Sequence, residues 1–419
     1  MLNQERKDKN VGLLVLVAAL GYFVDIYDLL LFGIVRLESL RGIGIGETDL
    51  EHYGTLLLNW QMGGMLLGGI FWGILGDKKG RLSVLFGSIV LYSLANIANG
   101  FVQDVWTYAV LRFIAGVGLA GELGAGITLV SETMSKDKRG WGTTIVATVG
   151  VFGAVVAALV AGLVEWRTSY FIGGGMGLLL LLLRIGVYES GMYMESKTLR
   201  IQRGNIFMLF SSWKLFSKYF GIILIAVPVW YVMSLYILLS KEMGQAMGMA
   251  PDQIPAPGKS IMFAYIGITV GDIASGVLSQ VLRSRKKALL VFLLLTLVAL
   301  VLYYTVAPQS RTMFYAVATF LGFATGYWAV FMTTAAELFG TNIRSTVTTT
   351  APNFVRGAVI PITLLFGLFK GFFLEDGQAT GQTQINAALS VGVIVFALAF
   401  LSWYNLKETY GKELNYNEQ

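Results

Sequence analysis

The segment GILGDKKGR, Gly73 to Arg81, gathers Asp77, Lys78, Lys79 and Arg81 between two uncharged stretches, 53–76 and 82–101. Each flank is long enough to cross a hydrocarbon core of about 30 Å as a helix. Charges confined to a short turn between two such helices belong at a membrane surface, where they stay hydrated while the flanks are in lipid.

Working outward, the same pattern fills the chain. Of 419 residues, 55% are hydrophobic and 13% charged, where an ordinary soluble protein carries about a quarter charged. A soluble globular enzyme is excluded, because apolar runs recur that can be satisfied only in lipid. Hydropathy predicts twelve spans: 11–35, 53–76, 82–101, 105–130, 141–163, 168–188, 219–240, 260–282, 287–306, 312–337, 345–369 and 385–406. The expected class is an all-α integral membrane protein, because only helices satisfy their own backbone within such segments.

There is no cysteine and one histidine, His52. Disulfides, thiolate metal sites and multi-histidine clusters are therefore excluded, and neither metal nor cofactor is expected. His52 stands beside Glu51 in a loop and reads as solvated. The net charge of +6 does not point to nucleic acid. Most Lys and Arg fall in alternate connections on one side, which places both termini in the cytoplasm of a multi-pass inner-membrane protein. The opening MLNQERKDKN leads into an apolar run without a small-residue cleavage site, and so reads as a retained first span.

The longest predicted cytoplasmic connection holds Lys197, Arg200, Arg203, Lys214 and Lys218 and divides the spans six and six. The expected organisation is an N-terminal six-helix bundle over 1–190, a surface linker over 191–218, and a C-terminal six-helix bundle with a short tail over 219–419. The halves repeat one another. SETMSKDKR (Glu132, Arg139) closes the fourth span and AELFGTNIR (Glu337, Arg344) the tenth, each with arginine seven residues after glutamate. The hairpin after the eighth span, GVLSQVLRSRKK, is a degraded counterpart of GILGDKKGR. Gly73, Asp77, Gly80, Arg81, Glu132, Arg139, Glu337 and Arg344 are the candidate cytoplasmic gate, where charges at helix ends pair to hold one alternating-access state.

These features resemble the major facilitator superfamily, whose second-to-third-helix loop carries a Gly, Asp, basic, Gly, Arg pattern. YFVDIYDLLLFG (Tyr22–Gly33), RFIAGVGLAGELGAG (Arg112–Gly126), SETMSKDKRGWGT (Ser131–Thr143) and LRIGVYESGMYME (Leu183–Glu195) resemble its metabolite:proton symporter branch, with overlap to sugar porters. The resemblance implies two pseudo-symmetric six-helix bundles and proton-driven transport of a small polar solute, often a carboxylate or zwitterion. It also implies an aspartate at Asp28, an arginine at Arg112 and a glutamate at Glu122. Two departures are clear: the hairpin after span eight lacks the Gly-Asp-Arg pattern, and TAPNFVRGAVIP (Thr350–Pro361) matches no branch signature.

Ionisable residues within the spans cost several kcal/mol unless paired or hydrated, so chemistry is sought there. They are Asp25, Asp28, Arg112, Glu122, Asp272 and Arg356. At about 1.5 Å per residue, Asp28 and Arg112 both lie about 10 Å from the outer end of their spans and can pair. Asp272 and Arg356 both fall near the midplane, where a second pair is expected. Asp28, backed by Asp25 on nearly the same face, is the expected proton acceptor, with Arg112 as partner and Glu122 in a glycine-lined interface. Arg356, with Asn353 one turn earlier, is the expected anchor for an anionic solute, because a guanidinium grips a carboxylate through two hydrogen bonds. Asp272, Tyr231, Trp328, Asn59 and Gln61 complete the candidate solute site, with Trp230, Tyr236 and Tyr327 as weaker aromatic candidates.

The expected function is secondary active transport, a proton-coupled symport of a small organic anion or zwitterion, in which a monomer in membrane lipid suffices. Two alternatives stay open: a proton-driven exporter of a drug or metabolite, and a solute sensor that transports nothing. No nucleophile-base constellation or metal motif supports an enzyme.

Overall fold

Backbone groups in hydrocarbon must pair within their own segment, and this chain satisfies them with helices. The computed structural model describes residues 2–134, 136–183, 206–374, 378–412 and 418. Among these residues the helices form twelve rods and no strand. In the first half, span one is Leu2–Gly42, span two Leu50–Lys79 and span three Arg81–Asn99. Span four is Val105–Leu119 with Glu122–Thr133, span five Lys136–Val151 with Gly153–Ala161, and span six Trp166–Leu183.

The second half follows the same plan. Span seven is Trp213–Val232, continued by a π turn over Met233–Leu238 and a short helix, Ser240–Ala246. Span eight is Pro257–Val281, span nine Arg285–Thr305, and span ten Arg311–Thr325 with Trp328–Leu338. Span eleven is Arg344–Gly357 with Val359–Phe372, and span twelve is Gly381–Asn405. Ten of these helical rods are long and apolar enough to cross a membrane. The even number of spans leaves both chain ends at one rim, here called the terminal rim; the opposite one is the distal rim.

Internal duplication is visible in the packing. Span two lies against span four in the first half, and span eight against span ten in the second. Both contacts use glycines four residues apart. Gly64 and Gly68 face the carbonyls of Phe113 and Val117, whereas Gly267 and Gly271 face those of Thr319 and Phe323. A Cβ at any of the four would meet backbone, so the close approach depends on glycine. Spans four and ten also break at matching places, around Ala120–Gly121 and Gly326–Tyr327.

The halves meet through span two on span eleven and span five on span eight. Span seven contains Pro228, and span eleven Pro352. Each proline removes a backbone donor from its helix, a usual cause of local bending. Gly80 ends span two with φ 101° and ψ 158°, and its N–H is donated to the Gly76 carbonyl. Only glycine adopts that conformation cheaply, which accounts for its place in GILGDKKGR.

Candidate functional site

Span one aims its two aspartates at different partners. Asp25 and Asp28 are both fully buried. The Asp25 carboxylate lies 3.8 Å from the Arg356 guanidinium of span eleven, across the boundary between the halves. Asp28 is in electrostatic reach of Arg112, yet its carboxylate oxygens have no hydrogen-bond partner.

Arg356 is 1% exposed. Its Nη1 donates to Asn353 Oδ1 at 3.4 Å, and its guanidinium stands 5.8 Å from the centre of the Trp328 ring. Its Nε has no hydrogen-bond partner, and neither do the Trp328 indole N–H and both Asp25 carboxylate oxygens. Asn353 is itself held firmly, with Nδ2 donating to the carbonyls of Ala120 at 2.8 Å and Thr349 at 2.7 Å. The first of these bonds crosses between the halves, so the residue that orients Arg356 also registers their relative position.

The expected Asp272–Arg356 pair does not form. Asp272 is buried, and its Oδ1 accepts the Ala329 backbone N–H at 3.0 Å. The break in span ten exposes the unsatisfied N–H groups and positive dipole end of helix Trp328–Leu338, and these attract the carboxylate. Arg356 is left to Asp25. Nor does Asp28 bond directly to Arg112, whose Nη1 donates to Asn96 Oδ1 at 3.3 Å and whose Nη2 donates to the Asp28 backbone carbonyl at 3.5 Å. The guanidinium lies 5.6 Å from the centre of the Phe32 ring and 5.5 Å from that of Tyr170. Cation–π contacts and neutral acceptors thus occupy the place expected for an ion pair.

Other candidates sort by position. Glu122 is 2% exposed, and its Oε1 accepts the Ser88 hydroxyl of span three at 2.8 Å. Gln61 donates to the Leu29 carbonyl at 3.1 Å, tying span two to span one. Asn59 meets Thr363 at 3.0 Å near the distal rim, which makes it a contact between the halves, away from the Arg356 site. Tyr231 was expected at the solute site, but its hydroxyl is bonded to Tyr236 and to the Ala388 carbonyl, both at 2.8 Å. It belongs to a tyrosine cluster inside the second half, with Tyr303 and Tyr304. Tyr327 donates to the Ile225 carbonyl at 3.0 Å, again within that half.

At the terminal rim, Gly73 lies against Thr346 and Thr350 of span eleven. Glu337 pairs with Arg285 at 3.3 Å and accepts the Thr409 hydroxyl at 2.8 Å, linking the hairpin after span eight to the tail. Arg344 donates to the carbonyls of Ala336 and Phe339. The side chains of Asp77, Arg81, Glu132 and Arg139 lie outside the described residues, as does most of the linker.

Sequence reasoning missed several neighbours. The hydroxyls of Tyr22 and Tyr265 both lie in electrostatic reach of Arg356, Asp25 and Asp272. Tyr22 precedes Asp25 by three residues and Tyr265 precedes Asp272 by seven, spacings that put each on the face of its acid and could have revealed it. Asn96, Ser88 and Tyr170 carried no such signal, because each is identified only by a residue on another span.

This arrangement sits in a fold with known counterparts. The proton:xylose symporter XylE bound to 6-bromo-6-deoxy-D-glucose superposes with a TM-score of 0.69 at 16% identity, covering 97% of this chain and 98% of that one. The 3-(3-hydroxy-phenyl)propionate transporter of Escherichia coli K12 is 28% identical over 80% of this chain and 81% of its own length. A putative metabolite transport protein of Haemophilus influenzae is 31% identical, but the match spans 43% of this chain and only 44% of that protein. Residues 18–364 match the Major Facilitator Superfamily, a stretch that runs from span one into span eleven and includes the Asp25–Arg356 pair, and the chain belongs to that family of membrane transporters.

Proposed function

We propose that this transporter is a proton-coupled symporter of a small organic anion, a carboxylate or zwitterion, and that Arg356 is the solute anchor. The observation that carries this reading is the Asp25–Arg356 pair: a buried guanidinium 3.8 Å from its carboxylate, with donors still unpaired around it. A buried charge pair with imperfect hydrogen bonding is costly, and a ligand carboxylate that accepts two N–H bonds along one edge of the guanidinium offsets that cost.

Coupling follows from charge balance. With Asp25 ionised, Arg356 is neutralised internally and an incoming anion would leave excess negative charge in a dry site. Once Asp25 takes up a proton, Arg356 is free to bind the anion, and one proton accompanies one negative charge. Asp28, one turn further along span one and in electrostatic contact with both Asp25 and Arg112, extends the route by which the proton reaches the site. Asn353 orients the anchor, Trp328 covers it, and Tyr22 and Tyr265 offer hydroxyls to the polar part of the solute. The relative that transports 3-(3-hydroxy-phenyl)propionate supports an aromatic carboxylate as the first solute to try.

In this scheme the halves 1–190 and 219–419 rock about the site with 191–218 as linker, a monomer in lipid suffices, and the terminal rim faces the cytoplasm of the inner membrane. The test is thermal stabilisation of the purified protein by aromatic carboxylates, amino acids, sugars and organic cations, followed by uptake into proteoliposomes under a pH gradient. Stabilisation by carboxylates that disappears in Arg356→Ala is expected. A response confined to sugars or cations would overturn the assignment.

A further inference from the structure

At the distal rim a second buried arginine bridges the halves. Arg36 of span one is 3% exposed. Its Nη2 donates to Glu242 Oε1 of the other half at 2.6 Å and to the Leu238 carbonyl at 3.4 Å. Its Nε and Nη1 have no hydrogen-bond partner, and neither has Glu242 Oε2. Arg36 lines a small cavity with Phe32, Gly54, Ser234, Leu238 and Thr363.

Two glycines make this closure possible. A Cβ on Gly54 would stand 2.7 Å from Arg36 Cδ and 3.0 Å from its Nη1, while one on Gly33 would collide with Leu238. The cavity has room for at most about one water molecule in this state. No organic anion fits beside Arg36 while Glu242 is in place. Two further ion pairs join the halves around the same rim, Lys370–Glu51 at 3.0 Å and Lys241–Glu47 at 3.7 Å. Both are more exposed than Arg36–Glu242, whose side chains are 4% and 11% exposed, so water screens them more.

We propose that Arg36 is an outer anion-recognition site and Glu242 its built-in competitor, so that a solute carboxylate opens the distal rim by replacing Glu242 on Arg36. Pairing with Glu242 and binding of an external carboxylate use the same guanidinium and exclude one another. An anion therefore binds only the open rim and shifts the closed–open equilibrium towards it. A sugar or cation has nothing to exchange with Glu242. The choice of an anion as ligand rests on the proposed function, but the latch itself does not.

These 419 residues contain no cysteine, which makes the test direct. Spin labels at His52→Cys and Gln245→Cys, exposed distal-rim positions on opposite halves, report the gap between them. Glu242→Gln is expected to raise the open-to-closed ratio roughly tenfold or more, because the buried pair loses one charge. Adding 3-(3-hydroxyphenyl)propionate to the labelled protein is expected to open the rim, and xylose to leave it closed. In Arg36→Gln/Glu242→Gln, which leaves no lone buried charge, the response to the anion is expected to vanish. An unchanged distance distribution in Glu242→Gln, or an anion response that survives in the double variant, would overturn the proposal. Running Arg356→Gln in parallel separates the two sites: a response kept there but lost in the double variant supports the outer site even if the central assignment fails. A response lost in Arg356→Gln and kept in the double variant would sink the outer site alone.

Discussion

Asp25 and Arg356 belong to different halves of the molecule and lie 3.8 Å apart, both buried. An ion pair there joins the two halves, which in the proposed mechanism separate for a solute to pass. In the proposed cycle a proton on Asp25 or an anion on Arg356 also loosens this contact, so that binding and movement would share one switch.

Asp25→Asn removes the proposed proton site and leaves Arg356 without its carboxylate. Carboxylate binding, read by calorimetry on purified protein, is expected to stay within about tenfold of the parent or to tighten. Uptake driven by a pH gradient is expected to fall to simple equilibration across the vesicle membrane. Normal accumulation in this variant would place coupling elsewhere, with Asp28 the next residue to test.

Arg356→Lys keeps the charge but loses the planar fork. Affinity for an aromatic carboxylate should drop roughly 10- to 100-fold, about 1.4 to 2.8 kcal/mol, because an ammonium cannot reproduce the paired hydrogen bonds. Titration of the two proteins with the same ligand measures it. Equal affinities would mean that the guanidinium serves the helix contact and not the solute.

Gly267→Val tests the repeated packing of span eight on span ten. The Cβ alone would meet the Thr319 carbonyl and the Phe323 nitrogen, so overpacking should cost about 1–3 kcal/mol and lower the unfolding temperature in detergent. Gly63→Ala is the matched control, since its Cβ finds only Ile360 Cδ1 at 3.9 Å. Similar melting curves for both variants would contradict the close contact.

Asp272 should tolerate Asn better than Ala. An asparagine oxygen still accepts the Ala329 N–H, whereas Asp272→Ala leaves that buried donor unpaired at a cost of about 1–3 kcal/mol. Thermal unfolding of both variants decides it. If Asp272→Asn proves as damaging as Ala, the negative charge on the helix dipole matters more than the single hydrogen bond.

The break in span ten explains why sequence reasoning paired the wrong partners. Depth along a helix follows from counting residues, and Asp25, Asp272 and Arg356 are all legible as buried charges near one level. Direction around the helix axis and the distances between helices are not legible in the same way. Asp272 and Arg356 share a half and a depth, but the helix end opened at Gly326–Tyr327 captures Asp272. Tyr231 shows the same limit: near mid-depth by count, it turns into its own half, where the Ala388 carbonyl and Tyr236 satisfy its hydroxyl.

The residues alone were enough to determine an all-helical membrane protein, the number of its spans, the duplication of its halves and the short set of charges that any mechanism must use. Those properties depend on what each residue costs in lipid and on regular spacing along one chain. Tertiary structure decided which charges meet: Asp25 with Arg356, Arg36 with Glu242, and Arg112 with Asn96 and two aromatic rings. Each of these contacts joins side chains on separate spans. Their distance depends on helix rotation and tilt, which are set by where glycines let backbones touch and where helices break.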